Sequence, residues 1–259
     1  MSAAAAPLAA DLEAALRRLK LRRLREIAPE VLQAAKTQRW APEELLRTLV
    51  EAEISARDEA NQERRLRAAG FPVEKTLEEF ALTQSSVPRA TYDYLASLEW
   101  IRASENLCLV GLAGTGKSHL LVGLGHAAVE AGYRVRYLTA AELVETLYRG
   151  LADNSVGKQI AALLRCELVL IDEVGFAPLD ETGMQLLFRF VAAAYERRSL
   201  GIASHWPFED WGRFLPEQTT AVSMLDRLLH HATVVVTEGE SYRMKEARSR
   251  RTTPKLKDE

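Results

Sequence analysis

Apolar side chains recur at helical spacing over the first part of the chain. Between Asp11 and Ile27 they fall on one face of a helix, with basic side chains around the remainder. The pattern predicts one amphipathic helix there. A second helix is predicted to begin at Pro42, because proline suits the first helical position, and to end at Gly70. Together they predict a small all-helical N-terminal domain over residues 1–70.

The pattern changes after this point. Phe71-Pro72 and a polar stretch near residue 85 interrupt the helical periodicity, which predicts a linker over residues 71–90. Beyond it, short apolar runs alternate with helical patterns, as in chains that form a parallel sheet between helices. The predicted strands are Leu107–Val110, Arg134–Leu138, Leu168–Ile171, Leu200–Ala203 and Thr233–Val236. We therefore predict an α/β domain with a five-stranded parallel sheet over residues 91–242, followed by a basic tail over 243–259.

The composition is that of a folded protein. The 259 residues are 47% hydrophobic and 27% charged, which excludes a disordered chain and a disulfide scaffold. Cys108 and Cys166 each lie in an apolar stretch, so we interpret them as reduced core thiols. The chain shows no secretory signal pattern and no run of about 18 apolar residues. These features predict a cytoplasmic protein without membrane association.

Positive charge is unevenly distributed, although the net charge is only −2. One basic group lies within residues 17–25 and another in the tail. A charge run is more often a solvated face than a binding site, so each group alone is weak support for phosphate contact. The first candidates for contact with a DNA backbone are Arg17, Lys20, Arg22, Arg23 and Arg25. A second candidate pair is Arg149 and Lys158.

A glycine-rich segment directly follows the first predicted strand. Residues 111–118 satisfy the pattern G-x-x-x-x-G-K-[ST] between a strand and a helix. The glycines let main-chain N–H groups approach a phosphate, and the helix start adds the positive end of its dipole. Lys117 is expected to reach the β- and γ-phosphates of ATP, and Ser118 to bind Mg²⁺. The predicted ATP-binding residues here are Gly111, Leu112, Ala113, Gly114, Thr115, Gly116, Lys117, Ser118 and His119.

The third predicted strand ends in two adjacent acids, Asp172 and Glu173. This matches a Walker B segment at the carboxyl edge of the sheet. Asp172 is expected to bind the metal, and Glu173 to activate the attacking water, which implies hydrolysis rather than binding alone. The alternative is that both acids merely cap the following turn.

Further polar candidates follow the later strands. Ser204 and His205 end the fourth strand and are predicted to sense the γ-phosphate, if that strand lies between the two Walker strands; otherwise one of them caps the next helix. Arg227 and Arg243 flank the fifth strand and could supply positive charge to the transferring phosphate. Arg197 and Arg198 are weaker candidates. For each arginine the alternative is a structural salt bridge.

These residues resemble one known family across nearly the whole chain: the IstB-type transposition helper ATPases of bacterial insertion sequences, within the AAA+ class. The segments that carry the resemblance are Arg67–Pro72, Lys75–Phe80, Gly114–Leu120, Leu170–Leu179, Phe208–Trp211, Asp226–His230 and Gly239–Arg243. The P-loop alone is shared by many families, whereas the combination is much narrower.

The resemblance implies an ATP-dependent oligomer that assembles on duplex DNA and directs a partner transposase to its target. It also implies that Arg227 reaches the nucleotide of a neighbouring subunit. His205 departs from the asparagine common at the sensor position, which could make hydrolysis unusually pH-dependent. Only sixteen residues follow Arg243, too few for the helical lid of many AAA+ proteins. We therefore expect no C-terminal lid, and a head-to-tail assembly in a ring or spiral that closes the site.

Two other functions stay open at this stage. A replicative helicase loader shares the ATPase core but binds a helicase and single-stranded DNA. A DNA-binding adaptor could use the nucleotide only as a switch, without turnover. Glu173 argues against the adaptor, because a carboxylate in that position is suited to activating water.

Overall fold

The computed structural model describes residues 6–242 and 244. The chain forms two compact units, one ending at Arg64 and the other beginning at Arg65. The helices are α1 (Ala10–Arg18), α2 (Arg22–Gln38), α3 (Pro42–Ala69), α4 (Arg89–Ala96), α5 (Glu99–Arg102), α6 (Lys117–Glu130), α7 (Ala140–Ala152), α8 (Val156–Leu163), α9 (Glu181–Ala194) and α10 (Gln218–Leu229). The strands are β1 (Asn106–Gly111), β2 (Val135–Thr139), β3 (Leu168–Val174), β4 (Ser199–Ser204) and β5 (Ala232–Thr237). Short 3₁₀ helices span Leu82–Gln84 and Phe208–Arg213.

The single helix predicted from Asp11 to Ile27 is wrong, because the chain breaks it between α1 and α2. Lys20 adopts the left-handed conformation, with φ 57°. The N–H of Lys20 donates to Arg17 O and that of Leu21 to Leu16 O, both at 3.0 Å, which is the Schellman ending of a helix. This position usually holds glycine or asparagine. A lysine there does not indicate the end of a helix, so the break was not predicted from the sequence.

A distant carboxylate caps the start of α2. Glu53, on α3, is buried, and its Oε2 accepts the N–H of Leu24 at 2.9 Å. Arg57 donates to the other oxygen of Glu53 at 2.8 Å and to Lys20 O at 3.0 Å. Burial opposes ionisation, yet these hydrogen bonds hold the pKa of Glu53 below its ordinary value. The first unit is thus held by a buried charge as well as by apolar contacts.

The five predicted strands are confirmed, each within three residues of its predicted ends. They form one parallel sheet in the order β2-β3-β4-β1-β5. Strand β4 therefore lies between β3 and β1, as the sensor hypothesis requires. Helices cover both faces: α4, α5 and α6 pack on one, and α7 to α10 on the other.

Residues 71–82, predicted as part of a linker, instead form a strap on the second unit. Phe71 stacks on His126 of α6 with ring centroids 4.4 Å apart, and the hydroxyl of Tyr92 donates to Leu77 O at 2.9 Å. A Cβ added at Gly123 would lie 3.1 Å from Leu77. The apolar residues of the strap thus complete the core over α6, which a loose linker would not do.

Two predicted features need residues beyond this description. The basic tail and the absence of a lid both concern residues 243–259, of which only Met244 is described. In the described residues, no helix is long and apolar enough to cross a membrane.

The packing of the strap on α6 generates a stability prediction. A Cβ at Gly125 would lie 2.6 Å from Phe71 Cε1 and 2.7 Å from Leu170 Cδ1. We expect Gly125→Ala to lower the free energy of unfolding by about 1–3 kcal/mol through overpacking. The matched control is Gly157→Ala on α8, where no described atom lies within 4 Å of the added Cβ; it should gain roughly 0.5–1 kcal/mol. Urea unfolding checks both, and equal stabilities of the two variants would contradict the packing argument.

Candidate functional site

A cleft of about 700 Å³ opens at the carboxyl edge of the sheet. It is lined by Ala113–His119, by the ends of β3 and β4, by strap residues and by residues that follow β5. A volume of this size suits a nucleotide. The position also agrees with the general rule that ligands of open α/β sheets bind beyond the carboxyl ends of the strands.

The glycine-rich segment adopts a backbone that only glycine supports. Gly111 has φ 147°, and a Cβ there would lie 2.0 Å from Thr237 O at the end of β5. Gly114 has φ 83°, and its Cβ would lie 2.1 Å from Ser241 Oγ. The segment is thus closely packed against the chain that follows β5.

Lys117 is buried at the start of α6, where its Nζ donates to Gly111 O at 2.6 Å and Leu112 O at 2.7 Å. Gly111 and Leu112 therefore present carbonyl groups to the lysine. A phosphate that replaced these carbonyls would find a desolvated ammonium, which strengthens a charge-assisted hydrogen bond.

Hydroxyl groups tie the P-loop to β5. Thr115 Oγ1 donates to Leu112 O at 2.8 Å and lies 2.7 Å from Thr237 Oγ1. The N–H of Tyr242 donates to Gly114 O at 2.9 Å. The loop is therefore held by the end of β5 and by the chain that follows it, which also contributes to the lining of the cleft.

The two acids at the end of β3 differ sharply in environment. Asp172 is 5% exposed, whereas Glu173 is exposed and has φ 59°. The pairing of β3 with β4 shifts between Ile171 and Val174, so this is a β-bulge. In an unbroken strand neighbouring side chains point to opposite faces, but here both acids line one cleft.

The buried carboxylate of Asp172 is held by two donors. Tyr137 of β2 donates its hydroxyl to Oδ2 at 2.9 Å, and the N–H of Glu173 donates to Oδ1 at 2.8 Å. Burial, and then the charge of Asp172, raise the pKa of Tyr137 well above its ordinary value, so the hydroxyl remains a donor at working pH. Tyr137 was not predicted as a site residue, because its partner Asp172 lies on β3 and only the pairing of β2 with β3 brings the two side chains together.

The predicted magnesium ligands fit the ion. Ser118 and Asp172 both line the cleft, and a hydroxyl with a carboxylate is the hard-oxygen pair that Mg²⁺ takes from proteins while keeping waters. Because Asp172 is already oriented by two hydrogen bonds, it can accept a ligand without first being ordered.

The two sensor candidates are not equivalent. The hydroxyl of Ser204 is buried; it donates to Val174 O at 2.9 Å and accepts the N–H of Trp206 at 3.1 Å. These bonds tie Ser204 to the bulge beside Glu173. Neither Ser204 nor His205 caps the next helix, because the 3₁₀ helix Phe208–Arg213 has no side-chain hydrogen bond at its N-cap residue, Pro207. His205 is partly exposed and lines the cleft, so it is the stronger candidate.

The surroundings of His205 shift its pKa in a defined direction. Burial, and then the charge of Lys117, lower the pKa of His205 below its ordinary value. The imidazole is therefore neutral at pH 7. Any pH dependence that it confers falls on the acidic side of that pH, where protonation would place a second positive charge beside Lys117.

His119 faces the strap. Its Nε2 lies 3.0 Å from Thr76 O, and its ring meets that of Phe80 edge-on at 5.4 Å. Phe80 also lies 3.1 Å from the position of a Cβ on Gly116. The strap therefore forms one wall of the cleft, a contribution that the prediction of a linker had missed.

Those predicted arginines that the structure describes do not line the cleft. Arg227 is on α10, where it donates to Ser223 O at 2.8 Å and lies 5.1 Å from the centroid of the Phe188 ring; it is not among the described residues that line the cleft. Arg198 donates to Leu164 O at 2.8 Å, a structural role. Arg243 lies outside the described residues.

The candidate DNA contacts occupy both units. In the first unit the basic group spans α1, the break and α2 rather than one helix; Arg17 contacts Glu13 at 3.1 Å and Arg22 contacts Glu26 at 2.9 Å. In the second unit Arg149 and Lys158 are exposed on α7 and α8, and Arg149 contacts Glu145. Exposed ion pairs of this kind are weak, so these arginines remain available to phosphate.

Comparison with known proteins gives a consistent result. The family of IstB-like ATP binding proteins matches residues 14–250. An insertion sequence IS21 protein of Pseudomonas aeruginosa, named for ATP binding, is 35% identical over 255 residues, and the match covers 96% of each chain. An insertion sequence IS5376 protein of Geobacillus stearothermophilus, also named for ATP binding, is 33% identical and covers 83% of this chain and 86% of its own.

Among solved structures, the DnaC helicase loader has a TM-score of 0.51 at 14% identity, covering 68% of this chain and 99% of its own. That likeness shows the fold and not the function.

The bond between Tyr137 and Asp172 generates a prediction. We expect Tyr137→Phe to raise the Mg²⁺ concentration for half-maximal ATP binding roughly tenfold, because the carboxylate loses a buried donor that orients it. The matched control is Tyr92→Phe on α4, which removes a hydroxyl that donates to Leu77 O of the strap over the same distance of 2.9 Å. A magnesium titration of ATP binding checks both. An unchanged requirement in Tyr137→Phe would mean that Asp172 does not hold the ion.

Proposed function

We propose that this chain, which belongs to the family of IstB-like ATP-binding proteins of insertion sequences, hydrolyses ATP to control its action in transposition. The observation that carries the proposal is the convergence of Lys117, Asp172 and Glu173 in one cleft, with the first two buried and Glu173 open to solvent. A site for binding alone needs the lysine and the metal ligand. The exposed carboxylate adds a base for water.

Each residue has a distinct part in the proposed reaction. Lys117 exchanges its two carbonyl partners for β- and γ-phosphate oxygens. Ser118 and Asp172 hold Mg²⁺, which when bound neutralises charge on the phosphates. Glu173 accepts a proton from the attacking water, and His205 donates a hydrogen bond near the γ-phosphate.

The proposed partners are duplex DNA and a cognate transposase. Family membership supports both, and the basic group of α1 and α2 supplies exposed positive charge. A pull-down with transposase and, separately, with replicative helicase separates this proposal from a helicase loader. Capture of the helicase alone would favour the loader.

We further propose that copies of the chain assemble head to tail, so that Arg227 of one copy serves the nucleotide of the next. This is supported by the placement of Arg227 on α10, apart from the lining of its own cleft. A second copy would then supply the positive charge that the described cleft takes only from Lys117 and Lys75.

The proposed role of Glu173 generates the main test. Glu173→Gln should bind ATP with near-normal affinity but lose at least about a hundredfold in phosphate release, because the amide orients water without accepting its proton. Phosphate release is measured with and without duplex DNA. Turnover within about twofold of the parent would identify another group as the base, and an absence of turnover in the parent would favour the nucleotide-switched adaptor.

Lys117→Ala is the control for binding. It should lose tight ATP binding, because the main point charge on the β- and γ-phosphates is removed.

A mixing experiment tests Arg227. When Lys117→Ala is mixed with Arg227→Ala, part of the activity should be recovered at interfaces that join one intact cleft to one intact Arg227. If confirmed mixed assemblies recover no activity, Arg227 acts within its own subunit or has only a structural role.

The basic group generates a separate test. Replacing Arg17, Lys20, Arg22, Arg23 and Arg25 by glutamine should weaken DNA binding equally across sequences. The logarithmic salt slope should fall by about one for each lost contact. Arg89→Gln, an exposed arginine of α4, is the control. A salt slope equal to that of the parent would mean that these basic residues are a solvated surface and do not contact DNA phosphates.

A further inference from the structure

Two turns meet at the amino edge of the sheet, opposite the cleft. One turn joins α9 to β4 and the other joins α10 to β5. Tyr195 and His230 are the first residues after the two helices, and Tyr195 Oη lies 2.6 Å from His230 Nδ1. The next residues also pair: Glu196 Oε1 lies 3.6 Å from His231 Nε2.

The three metal-binding side chains of these turns converge. Glu196, His230 and His231 each offer one ligand atom, and these atoms all lie within 4.8 Å of one another. The two imidazole rings have centroids 4.0 Å apart. Ligands of a tetrahedral zinc ion lie about 3.3 Å apart, so modest rotation of these exposed side chains brings them into range.

A buried amide holds the backbone of both turns. Asn106 donates its main-chain N–H to His231 O at 2.7 Å and its side-chain NH₂ to Leu228 O at 3.0 Å. Its side-chain oxygen accepts the N–H of Leu200, in β4, at 3.0 Å. The main chain on either side of the cluster is therefore fixed by the core, and only side-chain freedom remains to be lost on binding.

The local electrostatics favour a cation. Helices α9 and α10 both end here, and the carboxyl end of a helix carries partial negative charge. Glu196 adds a full negative charge, and Asp226 lies near Tyr195, while Arg227 opposes them.

We propose that Glu196, His230 and His231 form a zinc site, distinct from the nucleotide cleft. Two imidazoles and a carboxylate with one open position are a recognised zinc donor set. The contact of Tyr195 Oη with His230 Nδ1, at 2.6 Å, orients the ring of this ligand, which makes Tyr195 a positioning residue. The ion joins the two turns and so fixes α10, which carries Arg227, to the end of α9.

The test is a Zn²⁺ titration of the tag-free full chain by calorimetry without nucleotide. We expect one ion per chain, with binding at least tenfold weaker in His231→Ala and in Glu196→Gln. Glu130→Gln, an exposed acid at the end of α6, is the control and should bind as the parent does. Unchanged binding in a His230→Ala, His231→Ala double variant would place the ion elsewhere, such as beside His119 and His205, and overturn the proposal.

Two further measurements separate ligation from folding. Co²⁺ in place of zinc should give the visible absorption of a site with nitrogen and oxygen ligands, and this should disappear in His231→Ala while its far-UV circular dichroism is retained. Tyr195→Phe should keep the Co²⁺ spectrum but bind about tenfold more weakly. Zinc at about a hundredfold excess over Kd should raise Tm by roughly 5 °C in the parent. The same rise in Glu196→Gln would contradict the site.

Discussion

The burial of the central strands on both faces is the constraint on which the rest of this structure depends. Strands β1, β3 and β4 are buried almost throughout because helices cover both sides of the sheet. A strand buried in this way cannot carry charge along its length and must place its polar groups at its ends. The P-loop, the acids of β3 and His205 therefore collect at one edge, and the paired turns with their histidines at the other.

A charged group at the boundary of such a core needs hydrogen-bond partners, and the neighbouring strands of the site supply them. Asp172 is held by Tyr137 and by the N–H that the bulge presents, while Ser204 secures that bulge from β4. The same bulge turns Glu173 toward the cleft. Three neighbouring strands thus position one carboxylate pair, so a change in any of them reaches the proposed metal ligand and base together.

The sequence by itself determined the five strands of the sheet and most of the candidate chemistry at their carboxyl ends. The five strands followed from the pattern of short apolar runs, and Thr139 and Glu142 form a local capping box at the start of α7. The P-loop residues and the Asp172-Glu173 pair were found because each depends on neighbours within a few positions. The strap carried a recognisable motif, but spacing alone made it look like a linker, since its hydrophobic partners lie on α6.

The tertiary structure decided what depends on residues that are far apart in the chain. Strand order placed Tyr137 beside Asp172, although the two residues are 35 positions apart in the chain. Burial and hydrogen bonding gave Ser204 a structural role, whereas His205 stays partly exposed in the cleft. Glu53 capped a helix that begins 31 residues earlier, and Lys20 adopted a left-handed turn because the Schellman bonds compensate its strain. Local propensity does not predict such long-range hydrogen bonds. They stabilise the fold only after burial has removed water as the competing partner.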